Sequence, residues 1–559
     1  MKNEAAIRRI SLLVLITGPL VSLIITPFAN FDPINLGKNL VLSGFGFAIF
    51  ALFIFSDLGL RKRLNSGLWI VSVLFIVSMV SSMLFSGAPI TQQFWGIFGR
   101  NNGFINYLIL IFLTLGVGLI QDVNFYKNVS ISLIVTATIA TGYAIIQTLG
   151  LDPIKYSVQQ TFATFGNVNF LSAFFGISSS CAVALIIDRK NSNLNRSLLA
   201  ALVFIDLIIT YKTGSIQGIM IFVAATGVTV FLWIRSQSKL RVLWAPYILL
   251  GILGIGLTIV GLANKGPLAK FVFQPSVTYR EDYWHAGWVM TLKHPFFGVG
   301  LDSYGDWYRQ YRGLISTIRT TPERTANTAH NIFLDISSSG GFPLILTYLA
   351  LLAFAIRASF KVLRRSREFN GTFVALFSAW LAFQVQALIS IAQVGVTVWG
   401  WILTGAIIGF EKVSIQTLAT NGSKKISRRV SKKAELSPVS ALAALIGFGV
   451  GIAIAFPPFN ADMKFKAAYL KGDLVAMTES VNLLGSSAYL NGVVLEYALK
   501  NSAFAQADPL TASLNERFPR DWFGWKVLYL KQSSTEADKK LALAKLQELD
   551  PFNPDVPKS

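Results

Sequence analysis

Cysteine is all but absent from these 559 residues, histidine occurs three times, and charged side chains make up only 14%. A lone Cys181 allows no internal disulfide and no thiolate metal cluster, and within an apolar run it reads as a small buried hydrophobe. So little charge excludes a soluble domain of this length, because 53% of the residues are hydrophobic and mean hydropathy is +0.55. GxxxxGK[ST], GxGxxG and HExxH are also missing, which removes the P-loop, the dinucleotide fold and the zincin helix. Any phosphate must be held by side chains.

What the chain has instead is apolar length. Windows of about 20 apolar residues, enough for a helix to cross the hydrocarbon core, start near Ile10, Leu40, Leu68, Phe104, Ser130, Val168, Ser197, Ser215, Ala245, Gly341, Phe373, Ala392 and Val439. The expected fold is all-α and polytopic, with about 12–13 transmembrane helices. The first span has a basic flank but no small-residue cleavage site after it, so it reads as a retained helix.

A net charge of +21 could suggest nucleic acid, but the basic residues gather in every second loop. Lys2, Arg8 and Arg9 precede span one; Arg61, Lys62 and Arg63 follow span two; Arg189, Lys190 and Arg196 follow span six. Arg235, Lys239 and Arg241 follow span eight, Arg364, Arg365 and Arg367 span ten, and a run from Lys424 to Lys433 span twelve. By the positive-inside rule these loops and the N-terminus face the cytoplasm, as expected of a multi-pass cytoplasmic-membrane protein with no nucleic-acid partner.

Spans follow closely up to Asn264, and about 75 residues then pass before the run at Gly341. Loops this long are functional or disordered. Residues 264–340 carry Tyr279, Tyr283, Trp284, Trp288, Tyr304, Trp307, Tyr308 and Tyr311, a density that argues for short helices at headgroup level outside the membrane. The expected organisation is a polytopic domain over 1–410, a basic cytoplasmic linker over 411–437, a last transmembrane helix over 438–458 and an extracytoplasmic helical domain over 459–559. The close of that domain, "ALAKLQELDPFNP", resembles the end of a tetratricopeptide repeat.

The same loop holds eight basic and six acidic residues and all three histidines, His285, His294 and His330. His294 precedes Pro295 and reads as a turn residue, and His285 as interfacial packing. Asp206, inside the seventh span, requires a partner, with Lys212 or an outer-loop arginine as the options.

"YREDYWHAGWVMTLKHPFFGVGLDSYGDWYRQY" followed by "AHNIFLDISSSGG" resembles the signature loop of the O-antigen ligase and O-antigen polymerase superfamily. There an Arg precedes Tyr-Trp, a His-Pro-x-x-Gly-x-Gly turn follows, and a His stands eleven positions before a Gly, as His330 does before Gly341. "FWGIFGRNNGFINYL" around Arg100 and "TFATFGNVNFLSAFF" with Asn167 and Asn169 agree with it. The resemblance implies a GT-C-like, inverting glycosyltransferase that uses neither metal nor cofactor. Its donor would be a glycan on undecaprenyl diphosphate at the outer face of the membrane, and its acceptor a lipid, another glycan or a protein.

Such a reaction needs fixed cations to hold the diphosphate and neutralise charge on the leaving oxygen. The resemblance puts Arg280 in that role, with Arg100 as a second cation and His330 as catalytic residue. Where the family carries Arg in Ser-Arg-Gly, "GSIQG" puts Gln217, which leaves Lys212 as a substitute phosphate ligand. Glu281 and Asp282 are supporting candidates, as proton acceptors or as a surface ion pair. The alternatives are a glycan polymerase of the same superfamily or a transporter that flips lipid-linked saccharides. A transporter calls for charge at mid-membrane in two halves of the chain.

Overall fold

The computed structural model describes residues 2–55, 62–156, 160–273, 275–421 and 438–558. Arg61 and the run from Lys424 to Lys433, both used for the topology, lie outside the described residues. The described residues form helices joined by turns and loops.

Among the described residues eleven helices are long and apolar enough to cross a membrane, and two shorter apolar ones, Phe104–Gly118 and Gly371–Ala387, stand at the other two of the thirteen apolar runs. The membrane part comprises α1 (Lys2–Leu23), α2 (Asn35–Ile54), α3 (Ser66–Phe85), the short α4 (Ile90–Trp95), α5 (Phe104–Gly118), α6 (Val123–Thr148), α7 (Val168–Ile187), α8 (Asn193–Lys212), α9 (Ile216–Ser236) and α10 (Trp244–Leu262). The long loop supplies α11 (Pro275–Lys293), α12 (Tyr304–Tyr311) and α13 (Leu314–Thr320), followed by α14 (Ile332–Arg365), α15 (Gly371–Ala387) and α16 (Val394–Asn421). α17 (Pro438–Lys471) leads into α18 (Leu474–Val481), α19 (Ala488–Lys500), α20 (Phe504–Arg517), α21 (Trp522–Leu530) and α22 (Glu536–Leu549), each packed on the next.

α16 is the bundle's centre, its most apolar window entirely buried, whereas α10 stands at the edge with 6% of its window covered. Small residues allow close helix approach, the usual basis of packing where lipid and core are equally apolar. A Cβ at Gly451 would lie 2.1 Å from the Ser43 carbonyl oxygen, and one at Gly218 2.1 Å from that of Ser172.

Three boundaries differ from expectation. The tenth span opens at Ile332, since Asn331 accepts from the Phe333 and Leu334 N–H groups and starts the helix nine residues before Gly341. α16 continues to Asn421, well into the expected linker. The last span does not stop near Pro457: α17 runs on to Lys471 with Pro457 and Pro458 inside it, so membrane helix and tail share one rod.

The tail is also docked on the long loop. Asp550, in the "LDPFNP" turn, accepts from Arg312 Nη2 at 2.7 Å with both side chains fully buried, and from Arg309 at 3.1 Å. Arg520 covers the Trp307 ring at 3.4 Å and donates to Gln310, while Arg309 covers Trp522 at 4.6 Å. Asp462 on α17 accepts the Phe31 and Asp32 N–H groups, and Phe31 packs edge-on against Phe465.

Candidate functional site

The tenth span breaks at Gly340–Gly341, where Gly341 has φ 67° and ψ −165°. A break in a membrane helix leaves carbonyls without partners, and buried ones must be satisfied. The "HPFFGVG" turn does this. Val299 N–H donates to Ser338 O (2.8 Å), Gly300 N–H to Ser339 O (3.1 Å), and Phe342 N–H returns a bond to Pro295 O (2.7 Å). Contact is so close that a Cβ at Gly298 would meet Ser339 at 2.3 Å and one at Gly341 would meet Pro295 O at 2.4 Å. Gly341 therefore joins loop to helix by its backbone. His294 also belongs to this scaffold, bonded to the Tyr311 hydroxyl at 2.9 Å and packed edge-on to Trp307. His285 is exposed, away from the cavity lining.

A cavity of about 330 Å³ is lined by Arg100, Asn167, Asn169, Gln217, Arg280 and His330, together with Asp32, Asn35, Phe165 and the 390–393 loop. Six residues singled out from the sequence, drawn from five separate segments, thus share one chamber.

Their surroundings divide them. The Arg100 guanidinium is buried between two carboxylates, 3.8 Å from Asp302 and 3.8 Å from Asp335, and donates to the Asn327 carbonyl at 2.8 Å. Asp302 also accepts Ile97 and Asn102 N–H, and Asp335 accepts Thr328 Oγ1 and Ala329 N–H. Burial raises the Asp302 carboxyl, against the pull of Arg100. Arg100 is thus a neutralised, held cation.

Arg280 has no carboxylate within 4 Å among the described residues; its one bond is a long 3.5 Å contact to Gln217 Oε1, and burial lowers its pKa. It keeps its charge, since a guanidinium is not deprotonated in proteins. Gln217 Nε2 is buried and has no hydrogen-bond partner among the described residues, so it is a donor left unsatisfied. Gln217 is held there because Gly218 N–H donates to Ser172 Oγ, joining the starts of α9 and α7.

His330 has φ 53°, its N–H is bonded to Thr328 Oγ1, and its ring stacks on Tyr283 with centroids 5.2 Å apart. Burial first, then the positive fields of Arg280 and Arg100, push its pKa down to about 4. At neutral pH it is an uncharged imidazole. The helix cap beside it is Asn331, so His330 is free of that duty.

The remaining candidates play other parts. Asn167 caps α7 by accepting Asn169 N–H, and Asn169 accepts from Ser215 Oγ, so both frame the cavity wall. Lys212 lies elsewhere: it ends α8 and lines a neighbouring recess with Val168, whereas Asn167 and Asn169 line the cavity. Glu281 is exposed, and Asp282 pairs with Arg319 at 3.3 Å, the surface ion pair of the two options. Asp206 is partnered by the Thr141 hydroxyl at 2.5 Å rather than by a cation. Among the described residues no group of three or more His, Cys, Asp or Glu has metal-site geometry.

Sequence reasoning missed Asp32, Asn35 and Gln393. Asp32 Oδ1 accepts Ile34 and Asn35 N–H, and burial raises its pKa. The only signal was an Asp-Pro turn at a helix start.

Fold and cavity define a polytopic, all-helical membrane protein with a cationic chamber where its long loop meets the bundle. Residues 198–349 match the family model described as O-antigen ligase (Wzy_C), a match that contains Gln217, Arg280, His330 and Gly341 and supports the likeness of this segment to the O-antigen ligase and polymerase superfamily. No curated protein matches the chain.

Proposed function

We propose that the chain is a membrane glycosyltransferase that moves a glycan from undecaprenyl diphosphate to an acceptor hydroxyl at the outer face of the cytoplasmic membrane, with inversion and without metal. The observation that carries this reading is the contrast within one cavity: Arg100 is neutralised by two carboxylates, Arg280 by none among the described residues, and the uncharged His330 shares the chamber with both.

In the proposed reaction the diphosphate lies against Arg280 and the free amide of Gln217. His330 takes the proton of the acceptor hydroxyl as that oxygen attacks the anomeric carbon from the face opposite the diphosphate. The bond from the anomeric carbon to the bridging oxygen breaks, its electron pair stays with the lipid diphosphate, and Arg280 stabilises the growing charge. Arg100, fixed between Asp302 and Asp335, adds positive potential without offering a free ligand position. Gln217, where the family carries Arg, acts as orienter of Arg280 and as a neutral donor.

The experiment supplies purified protein with labelled undecaprenyl-diphosphate glycan and measures free lipid diphosphate with and without lipid, glycan and protein acceptors. Acceptor-dependent release is expected. Donor that stays intact with every acceptor, while labelled saccharide crosses a reconstituted bilayer, would favour the transporter instead.

A further inference from the structure

Beside the cavity lies a second, larger recess of about 630 Å³. It forms where three membrane helices end at one level: Gln147 and Thr148 close α6, Val168 opens α7, and Lys212 and Thr213 end α8. Ends of spanning helices mark headgroup depth. The loop between α6 and α7 adds Lys155, Tyr156 and Gln160.

The charges in this recess are unbalanced. Its one carboxylate, Asp152, already accepts from Tyr143 (2.9 Å), Gln147 Nε2 (2.8 Å) and Ile154 N–H (2.9 Å). Lys155 and Lys212 are both exposed, and neither forms an ion pair with a carboxylate among the described residues. Between the lining residues in sequence the surface turns apolar: Leu149 and Leu151, on either side of Gly150, are 66% and 68% exposed, and Tyr211, before Lys212, is 78% exposed, positions that water disfavours and acyl chains cover. Two ammonium groups over an apolar rim at headgroup depth match one ligand chemistry, a phosphate attached to hydrocarbon chains.

We propose that this recess is a binding site for the phosphate headgroup of an anionic membrane lipid, held by Lys155 and Lys212 and separated from the cationic cavity by the Asn167–Asn169 turn. The site does not depend on the glycosyl-transfer reading. It gives Lys212 a phosphate partner, though not the one in the cavity.

The test uses full-length, delipidated protein and native mass spectrometry with phosphatidylglycerol, diacylglycerol of the same chains, and inorganic phosphate as competitor. Wild type should retain one more phosphatidylglycerol than the Lys155→Gln/Lys212→Gln variant, whose affinity for that lipid falls roughly tenfold or more. Arg280→Ala should retain it. Equal retention by wild type and the double variant overturns the proposal, as does equal binding of diacylglycerol. Release by millimolar inorganic phosphate points to a free-anion site and overturns it too, and displacement by a soluble saccharide does the same in favour of a glycan. Loss in Arg280→Ala alone would move the lipid into the main cavity.

Discussion

Replacing Asp550 by Ala removes the carboxylate from a guanidinium that is itself fully buried, since Arg312 and Asp550 are each 0% exposed. Removing one partner of a buried ion pair costs about 3–5 kcal/mol, because the remaining charge stays desolvated. Arg312 retains bonds to the Pro322 and Arg324 carbonyls, each 2.9 Å, which places the loss near the lower end, about 3 kcal/mol. Arg309 loses its carboxylate as well, but it is less buried and keeps Pro322, Glu323 and the Trp522 face. At about 1.4 kcal/mol per tenfold, docking of the tail on α12 should weaken roughly a hundredfold. Hydrogen exchange of the full-length protein reads this directly, as faster exchange in α12, α13 and α22. Arg312→Met together with Asp550→Ala should recover part of the protection, because the stranded charge is gone. Unchanged exchange in Asp550→Ala, or a double variant worse than the sum of the singles, would refute the reasoning.

The other expectations concern the reaction and the topology. Arg280→Ala should abolish donor cleavage and Arg280→Lys should restore little of it, since an ammonium lacks the forked donors; near-normal turnover in Arg280→Ala removes it from the site. His330→Gln should lose about 100- to 10,000-fold in rate, the range for a general base, while Gln at wild-type rate would leave His330 a positioning residue. Because a base works only when deprotonated, a His330 pKa of about 4 predicts that kcat/KM holds on acidification past 6.5 and falls through about 4, and a midpoint at the ordinary 6.5 contradicts this. Activity should survive chelators, and strict dependence on a divalent ion would show that another charge stabilises the leaving group. In a Cys181→Ala background, exposed Thr325→Cys and Ser533→Cys should react with an impermeant thiol reagent in intact cells and Ser427→Cys should not; the reverse pattern inverts the topology.

The spans were legible because apolar length is a one-dimensional property, and each of the thirteen runs corresponds to a helix. Their ends were less so. Gly341 looked like the start of a helix because the polar stretch before it is not apolar; the Asn331 cap and the carbonyl-satisfying "HPFFGVG" turn make it the middle of one. Pro457 and Pro458 looked like a stop, yet α17 continues, and through it Asp462 fixes the Phe31–Asp32 turn. The division at residue 459 thus cuts a single rod. Arg280, His330, Arg100, Gln217 and both asparagines stood out in the sequence because their motifs have recognisable spacing, and all six line one cavity. Asp32 and Gln393 belong to no such pattern and reach the cavity only through tertiary packing. Lys212 was misplaced for the same reason: five residues from Gln217 in sequence, it ends α8 on the other side of the Asn167–Asn169 turn.

In the proposed reaction the electrostatics of the cavity would link donor binding to His330. Burial and two nearby guanidinium groups hold the imidazole uncharged, a state that binds a proton poorly. Arg100 is already compensated by Asp302 and Asp335, so the uncompensated part of that field comes from Arg280. A diphosphate bound against Arg280 would cancel this field and place negative charge near the ring, and both effects raise the proton affinity of His330. The base would therefore gain strength when the donor is present, and an acceptor hydroxyl arriving before the donor would meet a weak one. Measured by NMR on labelled histidine, the His330 pKa should rise when a non-cleavable lipid diphosphate is added, and in Arg280→Ala it should start higher and rise less. A pKa that does not move on diphosphate binding would separate the two residues and put the phosphate site elsewhere.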